Sequence, residues 1–133
     1  MTCEREHAPN EIPWTVYLFK SGDLYKIGIS CDVRRRLCDL RHMSAVPVKH
    51  VVHAVVCCSD KARKIERGLH KRYEYHRRHG EWFRLDDINS GSIVTYLKST
   101  SIDMRRRRRA RLRGQRRDER TIAHREAALA EHT

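Results

Sequence analysis

The chain has 133 residues and a formal net charge of +12 at pH 7, from 29 basic and 17 acidic side chains. This length suits one domain with an extension, and no apolar run approaches the ~18 residues that a membrane-spanning helix needs. The charge excess predicts a polyanionic partner. The five cysteines include no Cys-x-x-Cys pair, and the N-terminus has no apolar segment of the secretory type. We therefore expect reduced thiols and a cytoplasmic location, with a structural zinc site as a minor alternative.

The first predicted element is a β-hairpin that follows a flexible lead-in. Residues 1–12 are polar and predict the lead-in. The apolar and aromatic runs Val16–Phe19 and Leu24–Ile29 flank the sequence Ser21-Gly22-Asp23. β-branched and aromatic residues on both sides of a Gly-Asp turn are typical of a hairpin.

Strand alternation gives the side chains of this hairpin consistent directions. If the turn holds an even number of residues, Tyr17 lies opposite Gly28, and Lys26 lies diagonally beside Tyr17 on the same face. The missing side chain of Gly28 would leave room for the Tyr17 ring. The sequence therefore predicts a phenol and an ammonium group on one face of the hairpin.

A helix is predicted to follow the hairpin at once. Ser30 and Asp32 are both candidates for its N-cap. On a 3.6-residue period, the apolar stripe of this helix is formed by Val33, Leu37 and Leu40. Because a helix that follows a strand packs on the same sheet, this stripe should face the hairpin.

The arginines of this helix point in different directions. Arg36 lies about 70° from the centre of the apolar stripe, so we expect it to fold back towards Tyr17. Arg35 points to water, while Arg34 and Arg41 lie on the opposite flank. For any one of these arginines, a solvated side chain is the plainer alternative.

A third strand and a second helix are predicted next. The β-branched run His50–Cys57 predicts a strand in the centre of the sheet. Ser59 is a suitable N-cap for a helix over Asp60–Tyr75. The apolar stripe of that helix consists of Ala62, Ile65, Leu69 and Tyr73.

Glu66 lies on the edge of this apolar stripe, about 55° from its centre, and His70 follows one turn later on the same flank. Burial of an unpaired charge costs free energy. A half-buried Glu66 therefore needs a partner, which a metal ion or the Arg36 guanidinium would supply. The alternative is a surface carboxylate paired with Arg63 or His70.

The domain is predicted to end with a basic turn, two apolar anchors and a short helix. Residues 75–80 form the basic turn, and Trp82 and Phe83 follow as large apolar anchors. The last helix is predicted over Asp86–Ser99. Its inward side chains are predicted to be Ile93, Tyr96 and Leu97.

The predicted fold is a small α/β (α+β) domain over residues 13–102, with a three-stranded, mainly antiparallel sheet flanked by helices. Residues 103–133 form a tail with 11 arginines, five acids and almost no apolar face, which we expect to be helical or disordered. Its arginines predict phosphate binding, and a solubilising extension is the alternative. The predicted DNA-binding residues are Arg34, Arg41, Arg105, Arg106, Arg107, Arg108, Arg109, Arg111 and Arg113.

Several short motifs occur in a fixed order along the chain. Val16-Tyr17-Leu18 is followed, ten residues further on, by Lys26-Ile27-Gly28. Arg36 lies eight residues after the glycine of the second motif. No single tripeptide is specific, whereas the ordered set of motifs is.

Two further motifs complete this set, namely Glu66-xxx-His70 and Gly80-Glu81-Trp82-Phe83. The ordered set resembles the GIY-YIG endonuclease superfamily, in its short branch with a Lys-Ile-Gly second motif, over residues 13–85. The chain has Thr15 where the first glycine of that family is usual, and Lys26 where its second tyrosine is usual.

The resemblance implies a metal-dependent DNA endonuclease that hydrolyses phosphodiester bonds with Mg²⁺ or Mn²⁺ as its cofactor. Glu66 would be the metal ligand, Arg36 would bind the scissile phosphate, and Tyr17 would act as the base or orient the attacking water. A free tyrosine has a pKa of about 10, so we expect the Lys26 ammonium to lower the pKa of Tyr17. His70 would hydrogen bond to Glu66 or to a metal-bound water.

Two other classes of function stay open from the sequence. One is a catalytically inactive nucleic-acid-binding protein on the same scaffold. The other is an interaction module whose arginine-rich tail binds RNA or an acidic protein. We expect DNA, with RNA as a second possibility, to be the partner and no membrane to be involved. A cluster of Tyr17, Arg36 and Glu66 at one cleft would favour the endonuclease.

Overall fold

A computed structural model gives the structure of residues 12–102 and 104–131, without the side chains of residues 104–108. Nearly all of the predicted lead-in therefore lies outside the described residues. The chain divides into two compact units between Ile102 and Asp103. None of the described helices is long and apolar enough to cross a membrane.

The first unit is built on a five-stranded sheet in which every neighbouring pair is antiparallel. The strands are β1 (Trp14–Ser21), β2 (Leu24–Ser30), β3 (Val48–Val56), β4 (Arg77–His79) and β5 (Trp82–Arg84). Their order across the sheet is β3-β1-β2-β5-β4. The prediction of three strands missed β4 and β5, because strands of three residues are too short to show an alternating pattern.

The strand β3 lies at the edge of the sheet, so its predicted central position is wrong. Its outer edge is nevertheless partly covered by the chain that follows the last helix of this unit. The Val55 N–H donates to Ser101 Oγ at 3.1 Å, and the Ile102 N–H donates to the Val55 carbonyl at 2.9 Å. Covering an edge strand protects its backbone groups, which explains why β3 has the apolar sequence of a central strand.

The strands β1 and β2 pair in the predicted register. Their two-residue turn begins at Gly22, whose φ of 61° is a backbone conformation that favours glycine and suits a hairpin. Tyr17 pairs with Gly28, and Phe19 pairs with Lys26. The predicted shared face of Tyr17, Gly28 and Lys26 is thereby confirmed.

Helices cover both faces of the sheet, and a separate helix forms the second unit. The helices are α1 (Val33–Met43), α2 (Ser59–Arg72), α3 (Asp87–Thr100) and α4 (Met104–Ala130), with a 3₁₀ turn at Glu74–His76. Asp32 is the N-cap of α1, since its Oδ1 accepts from the Arg35 N–H at 3.1 Å. The N-cap of α2 is Cys58 rather than the predicted Ser59, and it makes no side-chain capping hydrogen bond.

The two faces of the sheet have different partners. One face packs against α2 and α3 in the main core, to which it contributes Val16, Leu18 and Ile27. The other face packs against α1 in a smaller cluster that contains Tyr17 and Phe19. We call them the two-helix face and the one-helix face. All of the candidate strand residues for catalysis lie on the one-helix face.

Burial confirms most of the predicted helix stripes. Leu40 of α1 is buried against the one-helix face, and the two other members of its stripe are partly buried there. On α3, Ile93 and Leu97 are buried, but Tyr96 is 43% exposed. Its predicted inward direction is wrong, because Ile93 and Leu97, one turn apart, already face the sheet.

The helix α4 runs without interruption for 27 residues. Every side chain described from Arg109 onward is exposed. No apolar stripe is buried along this described part, so the helix depends on its own backbone hydrogen bonds and its strong helix formers.

Candidate active site

The candidate site lies where β2 extends beyond its neighbour β5. The strand β5 pairs only with Leu24–Lys26 of β2, and the next hydrogen bond runs from the Ile27 N–H to the Glu81 carbonyl at 3.2 Å. At the carbonyl group of Ile27, α2 takes the place of β5 as the neighbour of β2, because His70 Nε2 lies 2.9 Å from the Ile27 carbonyl oxygen. A carbonyl oxygen only accepts, so the imidazole donates this hydrogen bond. The short β5 thus lets side chains of α2 reach the edge of β2.

Tyr17 lies deep in the one-helix face beside Gly28. It is only 1% exposed, and its ring stacks on Phe19 with 4.1 Å between the ring centroids. A Cβ atom on Gly28 would lie 2.5 Å from Tyr17 Cζ, which is too close for any real Cβ contact. The prediction that Gly28 makes room for the Tyr17 ring is therefore confirmed.

Arg36 reaches Tyr17 from α1, as its position on the helix predicts. Burial raises the pKa of Tyr17 above its usual value, and the hydrogen bond and charge of Arg36 only partly offset this rise. The same hydrogen bond raises the pKa of Arg36. Tyr17 is therefore a neutral phenol near pH 7, and its oxygen accepts a hydrogen bond from the guanidinium group.

Lys26 is paired with Glu81 rather than with Tyr17. Its Nζ lies 2.7 Å from Glu81 Oε2, its side chain is 8% exposed, and it also lies 5.6 Å from the ring centroid of Trp82. The cation that lowers the pKa of Tyr17 is Arg36. The prediction that Lys26 lowers the pKa of Tyr17 is wrong, because a carboxylate next to Lys26 neutralises its charge and burial dominates the pKa of the phenol.

Glu66 shares a hydrogen bond with Glu81. Burial, followed by the charge and the hydrogen bond of Glu81, raises the pKa of Glu66. Burial also tends to raise the pKa of Glu81, but the hydrogen bond and charge of Lys26 outweigh it and hold that pKa below its usual value. Glu66 consequently keeps its proton to a higher pH than Glu81 does. The side chain of Glu66 is 15% exposed, which confirms its predicted half-buried position.

Glu81 is the site residue that the sequence argument missed. From the sequence, Glu66 is the only acid on a half-buried face, with a metal or Arg36 as its expected partner. In the structure its partner is a second carboxylate. A signal was present in Gly80-Glu81-Trp82-Phe83, because the turn at Gly80, with φ of 54°, directs this segment back to the sheet. The spacing alone does not reveal that β5 begins one residue later, beside β2.

His70 joins α2 to the edge of β2. Its Nε2 donates to the Ile27 carbonyl, and its ring centroid lies 5.1 Å from that of Phe83. The distance from Nε2 to Glu66 Oε1 is 3.8 Å, which is too long for a hydrogen bond. The predicted hydrogen bond from His70 to Glu66 is therefore not made, and His70 positions the helix that carries Glu66.

The predicted DNA-binding arginines occur in both units. Arg34 is exposed near the start of α1. Arg41 is exposed too, but its Nε donates to the Val48 carbonyl at 2.9 Å, which ties the end of α1 to β3. The tail arginines from Arg109 onward are exposed, while the side chains of Arg105–Arg108 lie outside the description.

The two carboxylates at this site suit a hard divalent cation. Mg²⁺ takes oxygen ligands and is usually held by one or two carboxylates together with waters and phosphate oxygens. Burial, and then the charge and hydrogen bond of Glu81, raises the pKa of Glu66 and so disfavours its ionised form, which a bound cation would favour. Within residues 12–102 and 104–131, no cluster of three or more His, Cys, Asp or Glu side chains could hold a metal. The predicted zinc alternative therefore has no ligand set there, and none of the described cysteines forms a disulfide.

Comparison with known families agrees with this fold. The T5orf172 domain matches residues 15–100, which include the three helices that cover the sheet and all of the strands except Trp14, the first residue of β1. The chain belongs to this family, whose fold is GIY-YIG-like and endonuclease-like. No curated protein and no solved structure matches the chain.

Proposed function

We propose that this protein is a metal-dependent DNA endonuclease that hydrolyses phosphodiester bonds. The observation that supports this proposal is the meeting of Tyr17, Arg36 and Glu66 around the edge of β2. These three residues come from β1, α1 and α2, and the charge of Glu66 acts on the pKa of Tyr17 together with the hydrogen bond of Arg36. A domain held together by apolar contacts alone has no need for this arrangement.

Each residue has a role that its surroundings support. Arg36 is the phosphate ligand, because its guanidinium can donate to phosphate oxygens as well as to the Tyr17 hydroxyl. Glu66 is the metal ligand, with Glu81 beside it as a second carboxylate. When bound, Mg²⁺ or Mn²⁺ supplies positive charge to the phosphate oxygens and favours the ionised form of a bound water.

Tyr17 acts from its neutral form in this proposal. Because its oxygen accepts from Arg36, its own O–H remains able to donate to a second acceptor. It can therefore orient the attacking water or a phosphate oxygen without first losing its proton. Lys26 keeps Glu81 ionised and in place, which is a positioning role, and His70 holds α2 against β2.

Nucleic-acid binding without cleavage is the second candidate. Two observations favour it, namely the raised pKa of Tyr17 and the neutralisation of Lys26 by Glu81. A site that uses Tyr17 as a general base would need the opposite shift of its pKa. The two candidates share the DNA partner and differ only in hydrolysis.

The test is incubation of supercoiled plasmid with the protein and Mg²⁺, with EDTA as the metal-free arm. We expect nicking by the wild type, and a loss of at least about 100-fold with Glu66→Ala, the range seen when one stabilising group of a transition state is removed. Glu74→Ala, which removes an exposed carboxylate of the 3₁₀ turn, is the matched control and should nick normally.

The outcomes separate the two candidates. Nicking by Glu66→Ala at the wild-type rate would contradict the metal-ligand role. If the wild type and Glu66→Ala both bind DNA but neither nicks it at any Mg²⁺ or Mn²⁺ concentration, the candidate that binds nucleic acid without cleavage is favoured. As a readout independent of activity, Mg²⁺ should raise the Tm of the wild type more than that of Glu66→Ala, since a ligand that binds the folded state stabilises it.

We also propose that α4 binds the DNA backbone through one arginine-rich face. With 100° per residue, Arg109, Arg113, Arg116 and Arg120 fall within about 60° of one another. Arg113→Gln/Arg116→Gln should therefore flatten the slope of log affinity against log salt by about 1.8 on duplex DNA. Arg111, which was predicted from the sequence to bind DNA, falls with Arg125 on the other side of the helix, so the control Arg111→Gln/Arg125→Gln removes the same charge from that side. Equal effects of the two double variants would show that α4 attracts DNA without a preferred face.

A further inference from the structure

Two histidines of β3 lie on the one-helix face because of a β-bulge. Residues three apart on a regular strand point to opposite faces. In the pairing of β1 with β3, Val51 is skipped, so that His53 pairs with Tyr17 and His50 pairs with Phe19. The extra residue turns both imidazoles to the face of Tyr17, and bulges next to active sites often redirect side chains in this way.

These histidines form a hydrogen-bonded pair. His50 Nε2 lies 2.7 Å from His53 Nδ1, and the two rings meet edge to face with 4.9 Å between their centroids. In the neutral pair one ring donates and the other accepts, which leaves one outward N–H and one outward lone pair. One added proton converts the pair into a monocation with two outward N–H groups. The pair is thus able to become an anion ligand with a fixed direction.

A cleft of about 520 Å³ opens beside the pair. It is lined by both histidines, by Thr15 of β1 and by the beginning of α1, where Asp32 and Arg34 contribute polar groups. Ligand sites typically have volumes of about 300–1,000 Å³, so the cleft is large enough for a nucleotide unit. Because Tyr17 and His53 are direct cross-strand partners, their Cβ atoms should be only about 5 Å apart.

We propose that His50 and His53 form a second phosphate subsite, which binds a DNA backbone phosphate next to the one held at Tyr17 and Arg36. This inference rests on the proposed function for its ligand, DNA, and does not depend on cleavage. Arg34 also lines the cleft and adds a positive charge to the subsite, beside the negative charge of Asp32.

A transition metal is a poorer occupant of this pair than a phosphate. Zinc binds imidazole nitrogen at about 2.0–2.1 Å with tetrahedral geometry, which requires about 3.3 Å between two ligating nitrogens. The facing nitrogens lie at 2.7 Å and share a hydrogen bond. Moreover, the described part of the chain offers no third metal-binding side chain to complete such a site.

The charges around the pair make its phosphate binding dependent on pH. Burial, and then the charge of His53, lowers the pKa of His50. The beginning of α1 contributes Cys31, Asp32 and Arg34 to the cleft. A backbone phosphate of DNA carries one negative charge and favours the protonated pair, so binding should take up a proton and become tighter as the pH falls.

The experiment measures fluorescence anisotropy of a labelled DNA duplex from pH 5.5 to pH 8, in EDTA so that cleavage does not occur. We expect affinity to rise on acidification in the wild type and to rise less in His50→Gln/His53→Gln. At pH 6 this double variant should also have a salt slope smaller by about 0.9, the value for one phosphate contact. His42→Gln, which removes an exposed histidine of α1 outside the cleft, is the matched control.

Several results would overturn the subsite. One is an unchanged pH dependence in the double variant, and another is an equal loss in His42→Gln. If the histidine pair binds inorganic phosphate but not the duplex, it is a site for free anions instead. If the double variant does not fold, imidazole NMR signals of the wild type decide, because a bound duplex that shifts neither histidine excludes the contact. A plasmid assay without nicking would contradict the endonuclease but leave this binding result intact.

Discussion

The two faces of the sheet differ in what they contribute: Tyr17 and Lys26 lie on the one-helix face, whereas α2, which packs on the two-helix face, brings Glu66 and His70 to the edge of β2. The two-helix face belongs to a core of fifteen buried residues, whereas the one-helix face contributes to a cluster of only four. On the smaller side, the buried Tyr17 and Lys26 carry polar groups whose partners are Arg36 and Glu81. A small domain can keep such polar groups because apolar burial on the opposite face supplies most of its stability.

The first prediction is that Leu18→Ala on the two-helix face lowers the stability of the fold. Leu18 is 0% exposed in the main core, so the variant should lose about 2–5 kcal/mol of unfolding free energy, measured by urea denaturation. The folded fraction should keep the DNA affinity of the wild type, because the substitution leaves the opposite face intact. A loss below about 1 kcal/mol would mean that this face is not the main source of stability.

The second prediction concerns Gly28→Ala on the one-helix face. The added Cβ collides with the Tyr17 ring, so we expect a loss of about 1–3 kcal/mol in unfolding free energy. We also expect nicking activity to fall, since the ring must move away from Arg36. Gly91→Ala is the control, because nothing lies within 4 Å of a Cβ built there. Normal activity of Gly28→Ala would show that the position of the phenol is not critical.

The smallest expected effect is a change in how stability depends on pH. The folded-state pKa of Glu66 is raised, chiefly by burial and then by Glu81. Its ionisation therefore destabilises the fold as the pH rises from the usual glutamate pKa through the raised one. Glutamine does not titrate, so Glu66→Gln should have a higher unfolding free energy than the wild type. This difference should be smallest near pH 4, grow as the pH rises, and level off above the raised pKa of Glu66.

This measurement compares urea unfolding at pH 4 to pH 8 in EDTA for the wild type, Glu66→Gln and the control Glu74→Gln. Glu81 contributes the opposite trend, because its pKa is lowered and its stabilisation is lost as the pH falls. A difference between Glu66→Gln and the wild type that does not grow with pH would mean that Glu66 is not strained by its burial.

Local patterns in the sequence determined how Tyr17, Gly28 and Arg36 are arranged on the one-helix face. The two-residue turn and strand alternation were sufficient to place Tyr17 opposite Gly28, and helical periodicity was sufficient to direct Arg36 towards Tyr17. These predictions succeed because the hairpin and α1 are contiguous in the chain, so that one turn and one helix period fix the side-chain directions.

The tertiary structure alone decided the carboxylate pair and the histidine pair. Glu81, the partner of Glu66, is held at the site by its contact with Lys26, which is 55 residues away in the chain. That contact depends on how far β5 extends along β2. His50 and His53 share a face only because β3 contains one extra residue, Val51, that has no pairing partner on β1. Periodicity carries no information about where a short strand stops or where a bulge occurs, since both are set by pairing with a distant segment.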